Sequence, residues 1–180
     1  MEQDLLFKKI SENIIYSNYR KILNKKFEHP DGVQSDYEII HSNTEVAVVV
    51  ALDENGDLIL AKQFRPGIEK IVIEFPGGAC EKGETLIESA KRELVEETGY
   101  TTDDITEIGA FRGESMSDAL YHTFLAKNCR KSFEQKLENT EFIEVVLMNV
   151  LDYEKYCTEN ILSAINLVSF YLVKSYIYDF

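Results

Sequence analysis

Cysteine is scarce in this chain. Cys80, Cys129 and Cys157 are odd in number and widely spaced, with no C-x-x-C pair. That argues against a disulfide framework and against a zinc knuckle, and reduced, buried thiols are expected instead. No Pro/Gly/Ser linker, internal repeat or low-complexity tract divides the 180 residues, so a single domain over 1–180 is expected. Long hydrophobic runs are missing too. The first residues, MEQDLLFKKISEN, lack the apolar core of a secretory signal, and Asn166 and Lys174 interrupt the apolar stretch near the other end. A soluble, cytoplasmic protein without a membrane partner is expected. Positive charge is the remaining deficit: 19 Lys and Arg stand against 32 Asp and Glu, a formal net charge of −13. A field of that sign opposes nucleic acid and anionic membranes, and excludes an extended nucleic-acid groove unless local basic residues or bound cations reverse it.

What is present is enough apolar material, 44% of residues, for an ordinary globular core. Between Ile14 and Asp53, β-branched and aromatic segments are punctuated by HPDG (29–32), and ENGD (54–57) marks a second turn. EVAVVVAL (45–52) is apolar on both faces and suits a central strand, with DLILAKQF (57–64) returning beside it. KIVIEF follows as a strand into Pro76. Thr85 to Thr98 has helical spacing, with Leu86, Ile87, Ala90 and Leu94 as its apolar stripe and Gly99 as its stop. ITEIGAFR, ALYHTFLA and FIEVVLMNV read as three further strands, and Leu151 to Tyr156 as the start of a short helix. A last helix over 161–176 has Ile161, Ile165, Val168 and Leu172 on one face. The expected class is α+β, a layered sandwich with helices outside a sheet.

The chemistry concentrates in GGACEKGETLIESAKRELVEETGY (77–100). Glu93, Glu96 and Glu97 stand at i, i+3 and i+4, within roughly a 100° arc of one helical face. Like charges so placed destabilise a helix. A hard divalent cation such as Mg²⁺ offsets the repulsion, because it favours carboxylate oxygen, keeps several waters and bridges to phosphates. Gly77 and Gly78 bring bare backbone close to such a site. The plain alternative is a glycine turn before a solvated acidic helix; beside the proposed metal face, Glu81 and Glu88 need no role beyond solvation.

From Gly78 the spacing G-x5-E-x7-R-E-L-x-E-E-x-G-Y runs through Glu84, Arg92, Glu93, Leu94, Glu96, Glu97, Gly99 and Tyr100. It resembles the complete signature of the Nudix hydrolases. The resemblance implies an α/β/α sandwich with a mixed central sheet and an N-terminal antiparallel extension, 1–44 beside a catalytic core 45–180. It implies cleavage of a nucleoside diphosphate linked to another group, with Mg²⁺ or Mn²⁺ as cofactor. Glu93, Glu96, Glu97 and the Gly77 carbonyl would be metal ligands. Arg92 would orient the carboxylates, and Glu84 would brace the loop or reach a metal-bound water. A glutamate from a loop beyond the box often completes such sites as the base. LENTEFIE (137–144) offers Glu138 and Glu141, of which Glu141 is preferred, although a solvated loop charge describes either.

KQFRPGIEKIVIEFPGG (62–78) is similar to the ADP-ribose pyrophosphatase branch of that family. On that similarity Arg65 would contact the terminal ribose or a phosphate, and Glu74 would accept hydrogen bonds from the nucleoside; an ion pair and a polar strand position are the plain readings. The N-terminal strands also resemble that branch, which implies a homodimer, and Tyr19 and Tyr37 fall where aromatic residues sandwich the base. RGESMSDAL (112–120) departs from the branch's S-P-G-F-S-D-E loop by lacking its proline, and there Arg112 would meet a phosphate or form an external salt bridge. A small nucleotide is therefore the expected substrate: ADP-ribose or a related sugar first, with NADH and dinucleotide polyphosphates next. A non-catalytic nucleotide sensor and an acidic interaction domain stand as alternatives from other classes.

Overall fold

The computed structural model describes residues 5–160 and 163–178. They form two compact units, 5–44 with 112–120, and 45–111 with 121–178.

In the first unit, β1 (Lys8–Ser17), β2 (Lys21–Glu28) and β3 (Gln34–His41) make an antiparallel three-stranded sheet. HPDG reverses the chain as its composition demands. The Gly32 N–H donates to the His29 carbonyl at 3.0 Å, and Gly32 takes φ 85°, a left-handed value at which glycine costs least. β1 is exposed along its whole length. Segment 112–120 is tied to β3: the Ile40 N–H donates to the Met116 carbonyl at 2.9 Å, and Asp118 accepts the Ser42 N–H at 2.7 Å.

The second unit is a mixed eight-stranded sheet between helices. Its centre is β4 (Val46–Asp53), which pairs in parallel with β10 (Tyr121–Lys131) and antiparallel with β5 (Leu58–Arg65) and β7 (Gly77–Ala79). β6 (Lys70–Glu74) and β11 (Glu144–Met148) flank β5, while β8 (Tyr100–Thr101) and β9 (Ile105–Phe111) pair with β10. Alternation along β4 divides the core. Ala47, Val49 and Ala51 pack with Ala90 and Leu94 of α1 (Leu86–Thr98). Val48, Val50 and Leu52 pack with Tyr153 of α2 (Val150–Glu159) and with Phe170 and Val173 of α3 (Ala164–Ile177). Each large side chain buried this way contributes about 1.5–3 kcal/mol. Sandwich and mixed sheet are as expected from the sequence.

Three sequence readings need correction. Ile87, placed on the core stripe of α1, is 41% exposed, while Ala90 and Leu94 carry the contact. Glu88 is more than a solvated charge: it accepts the Thr85 N–H at 2.8 Å while Thr85 Oγ1 accepts the Glu88 N–H, a capping box worth about 1 kcal/mol. On α3 the buried residues are Asn166, Ser169, Phe170, Val173 and Ile177, not the Ile165–Val168–Leu172 face. Ile161 of that reading lies outside the described residues. A hydrophobic period misses this face because two of its buried positions are polar and satisfied. Ser169 Oγ accepts from Thr123 Oγ1 at 3.0 Å, and Asn166 is bonded to β6 and to the residue after it.

Candidate active site

The caps of α1 decide where its acidic residues stand. Thr85 starts the helix, and Gly99, in the left-handed conformation at φ 77°, ends it with its N–H on the Val95 carbonyl. Glycine is required there, since a Cβ at Gly99 would lie 2.2 Å from the Phe133 carbonyl oxygen. Between these ends, Arg92 gathers the carboxylates. Its Nε and Nη2 donate to the two oxygens of Glu84 at 2.9 and 3.1 Å, and Nη1 donates to Glu93 at 2.7 Å and to Glu96 at 3.1 Å. Nη2 also reaches the Ala79 carbonyl at 3.1 Å, fastening the helix to β7. Only a planar guanidinium with five donors can serve so many oxygens at once. The Arg92 bonds hold Glu84 below the ordinary carboxylate range.

Glu97 has a different environment. It is 5% exposed, and one oxygen accepts the Gly77 N–H at 3.0 Å. Burial pushes it up to about 8; the Gly77 bond opposes that shift, and the charges of Glu93 and Glu141 add to it. Burial likewise raises Glu93, which Arg92 only partly offsets. The glycine loop comes close to both. A Cβ on Gly78 would lie 2.3 Å from Glu93 Oε1, and one on Gly77 would lie 2.2 Å from the Ala47 carbonyl oxygen.

The loop glutamates form a closed turn. The Glu138 N–H donates to Glu141 Oε2 at 2.8 Å, and the Glu141 N–H donates to the Glu138 carbonyl at 3.0 Å. The Glu141 charge acts on both Glu93 and Glu97. It also borders a cavity of about 540 Å³ lined by Lys62, Phe64, Ile71, Phe142 and Ile143. One side chain that sequence reasoning missed ties this loop to the helix. Gln135 Nε2 donates to the Glu97 carbonyl at 2.6 Å and to the Ile143 carbonyl at 3.2 Å. No local pattern marks Gln135; its partners are 38 and 8 residues away.

Among the described residues, no three acidic, histidine or cysteine side chains converge as a ready metal cage. Arg92 lies between Glu84, Glu93 and Glu96. The donor set nevertheless fits a hard divalent ion, which retains waters and does not demand an all-protein shell. A carboxylate raised chiefly by burial, and further by its acidic neighbours, is the kind of group that a cation restores to the charged form.

The other candidate residues are distributed as follows. Arg65 and Glu74 meet each other, Nε donating to Oε2 at 2.5 Å. In the N-terminal unit, Tyr19 is almost fully exposed, whereas Tyr37 packs edge-on against Phe27 and hydrogen-bonds His29 Nε2 at 3.1 Å. Arg112 Nη1 donates to the Asp118 carbonyl at 2.6 Å.

The family model described as NUDIX domain matches residues 42–164. This chain belongs to the Nudix family. It is a Nudix hydrolase, of the pyrophosphohydrolase class. Over 127 residues it is 40% identical to an ADP-ribose pyrophosphatase of Bacillus subtilis (strain 168), covering 69% of this chain and 68% of that protein. It is also 30% identical over 151 residues to a methanol dehydrogenase activator of Bacillus methanolicus, covering 83% and 81%. A crystal structure of an ADP compounds hydrolase superposes with a TM-score of 0.84 over 96% of this Nudix chain and 95% of that one. At 21% identity, that likeness speaks for the fold alone. The Nudix helix is thus α1, and the loop that enters it is β7 with the residues up to Thr85.

Proposed function

We propose that this Nudix hydrolase cleaves the pyrophosphate of ADP-ribose or a related nucleoside diphosphate sugar, giving a nucleoside monophosphate and a sugar phosphate. The observation that carries the reading is the acidic face of α1, with Glu97 buried against the Gly77 N–H and Arg92 bound to Glu84, Glu93 and Glu96. The similarity to an ADP-ribose pyrophosphatase over more than two thirds of both chains supports the substrate class.

Glu93, Glu96, Glu97 and the Gly77 carbonyl would hold Mg²⁺, with Mn²⁺ as the substitute. When bound, the cation neutralises pyrophosphate charge, polarises a P–O bond and acidifies water. The protein's own groups do the rest. Arg92 keeps Glu93 and Glu96 in fixed rotamers, and Glu84 serves Arg92 as a brace. Glu141 is the base: its carboxylate takes a proton from the attacking water as the new P–O bond forms, and the bridging oxygen leaves with the other phosphate. Glu138 holds Glu141 by its backbone N–H. Arg65 contacts phosphate or ribose. Glu74 serves the nucleoside end as the partner of Arg65, Tyr37 or Tyr19 stacks on the base, and Arg112 supports a phosphate. The working form is a cytoplasmic homodimer built through the exposed β1. Among the described residues, no helix is long and apolar enough to cross a membrane.

A dinucleotide such as NADH or a diadenosine polyphosphate is a second reading, motivated by segment 112–120, which has Glu114 or Ser115 where the branch carries proline. A panel of ADP-ribose, ADP-glucose, NADH and diadenosine polyphosphates with Mg²⁺, scored for released phosphomonoesters, separates the two. Turnover of none of them, or equal turnover by wild type and Glu97→Gln, overturns the enzymatic proposal. A sedimentation mass of one chain at working concentration overturns the dimer.

A further inference from the structure

At the N-terminal end of α3 sits a buried carboxamide that uses both of its ends. Asn166 is 4% exposed, and its Oδ1 accepts the Phe75 N–H at 2.8 Å. Its Nδ2 donates to Glu74 Oε1 at 3.0 Å and to Oγ of Ser163, the N-cap of α3, at 2.7 Å. A flipped amide would set its oxygen against the Glu74 carboxylate and its N–H groups against the Phe75 N–H, so only one orientation is satisfied.

Glu74 is buried as well, and its second oxygen is the one that accepts Arg65 Nε. With Nε committed to Glu74, the Nη groups are the edge of Arg65 that can serve an anion. The other bond of Asn166 falls on Phe75, one residue before Pro76. The Pro76 carbonyl accepts the Val49 N–H at 2.9 Å, and Gly77 then reaches Glu97. One side chain on the opposite face of the sheet from α1 thus grips the strand at the two residues that lead into the glycine loop.

We propose that Asn166, seated by Ser163, is a positioning residue for the substrate edge of the site. It sets the Glu74 carboxylate, and through it the Arg65 guanidinium, at the height where a nucleotide phosphate or ribose would bind. This rests on the reading of Arg65 as a substrate contact. A purely structural stitch between α3 and β6 would instead change stability and leave substrate affinity alone.

The test exchanges donor and acceptor. Asn166→Asp keeps the acceptor for the Phe75 N–H but removes the donor to Glu74 and sets two carboxylates together. The double variant Glu74→Gln/Asn166→Asp places the carboxamide on the strand and the carboxylate on the helix, so each donor again meets an acceptor. With ADP-ribose and Mg²⁺, Asn166→Asp is expected to raise KM about tenfold or more, the scale of a hydrogen bond to a charged group, with kcat within a few-fold. Measured against Glu74→Gln alone, which carries the loss of Glu74's own substrate contact, the Asn166→Asp change in the exchange is expected to cost little in KM. In the ligand-free proteins, the NMR cross-peak of Arg65 Nε–H should shift in Asn166→Asp and return in the double variant. A lowered melting temperature with KM and the Arg65 signal unchanged assigns Asn166 to stability alone and overturns the proposal. So does a KM penalty of Asn166→Asp that is the same with Glu74 in place as in the Glu74→Gln background. If wild type hydrolyses no nucleoside diphosphate derivative, the enzymatic reading fails on its own, and the Arg65 signal still decides the positioning.

Discussion

The Gly77 N–H donates to Glu97 Oε2 at 3.0 Å, joining the glycine loop to the last turn of the Nudix helix. That bond partly offsets the burial of a carboxylate on which the charges of Glu93 and Glu141 act unfavourably and that of Arg65 favourably. It also brings the two parts of the proposed ligand set to one place.

Glu97→Gln keeps the size of the side chain but removes its charge. Loss of partners that merely orient a metal ligand costs 10–100-fold, so loss of a ligand itself should cost about a hundredfold or more in kcat. Titrating Mg²⁺ against activity should also show weaker cation binding. Wild-type kcat and unchanged cation affinity would remove Glu97 from the site.

Metal-free protein should lose stability as pH rises. Glu97 sits at about 8 when folded, above its ordinary value of 4.5. Between those limits the folded chain therefore holds a proton that the unfolded chain has released, and stability falls with increasing pH by at most about 1.4 kcal/mol per pH unit. Glu93, also raised, acts in the same direction. In EDTA the melting temperature should be lower at pH 8 than at pH 5; Glu97→Gln should flatten the profile, and Mg²⁺ should restore the loss at pH 8. A melting temperature that rises across this window contradicts the assignment.

The two glycines of the loop should fail in different ways. At Gly78 an added Cβ meets the end of the Glu93 side chain, which can swing aside. Gly78→Ala should therefore stay folded but lose activity. At Gly77 the Cβ meets the Ala47 backbone of the central strand, which cannot move cheaply. Gly77→Ala should cost about 1–3 kcal/mol of stability, the usual scale for overpacking. Denaturant melts and initial rates on the two variants check the contrast.

Glu141→Gln should lower kcat about 10²–10⁴-fold, the range for a general base, with metal affinity preserved. Glu138→Gln should be nearly silent, because the contact it supplies to Glu141 is its backbone N–H. If the two variants swap these outcomes, the base is Glu138.

Gln135→Ala should act through Glu141. It cuts the bonds to the Glu97 and Ile143 carbonyls that tie the loop to the helix. About a tenfold loss of kcat is expected, the low end of the range for groups that orient catalytic residues. A loss of melting temperature with kcat intact would make Gln135 a structural tie only.

The sequence alone determined what depends on neighbours along the chain. Turns at HPDG and ENGD, the caps of α1 and the spacing of Arg92, Glu93, Glu96 and Glu97 are local, because a helical period and a glycine at φ 77° act over a few residues. The family signature belongs to the same class, being written almost wholly on one loop and one helix. Tertiary structure decided what depends on residues far apart. It brought the charge of Glu141 to bear on Glu97, paired Arg65 with Glu74, and turned α3 so that Asn166 and Ser169 face inward. Asn166 appeared in the sequence only as an interruption of an apolar stretch. Its partners Glu74 and Phe75 lie 92 and 91 residues away, and a buried polar group is stable only where such partners exist. Hydrophobic periodicity records which residues avoid water; which polar groups satisfy one another inside is settled only when the layers pack.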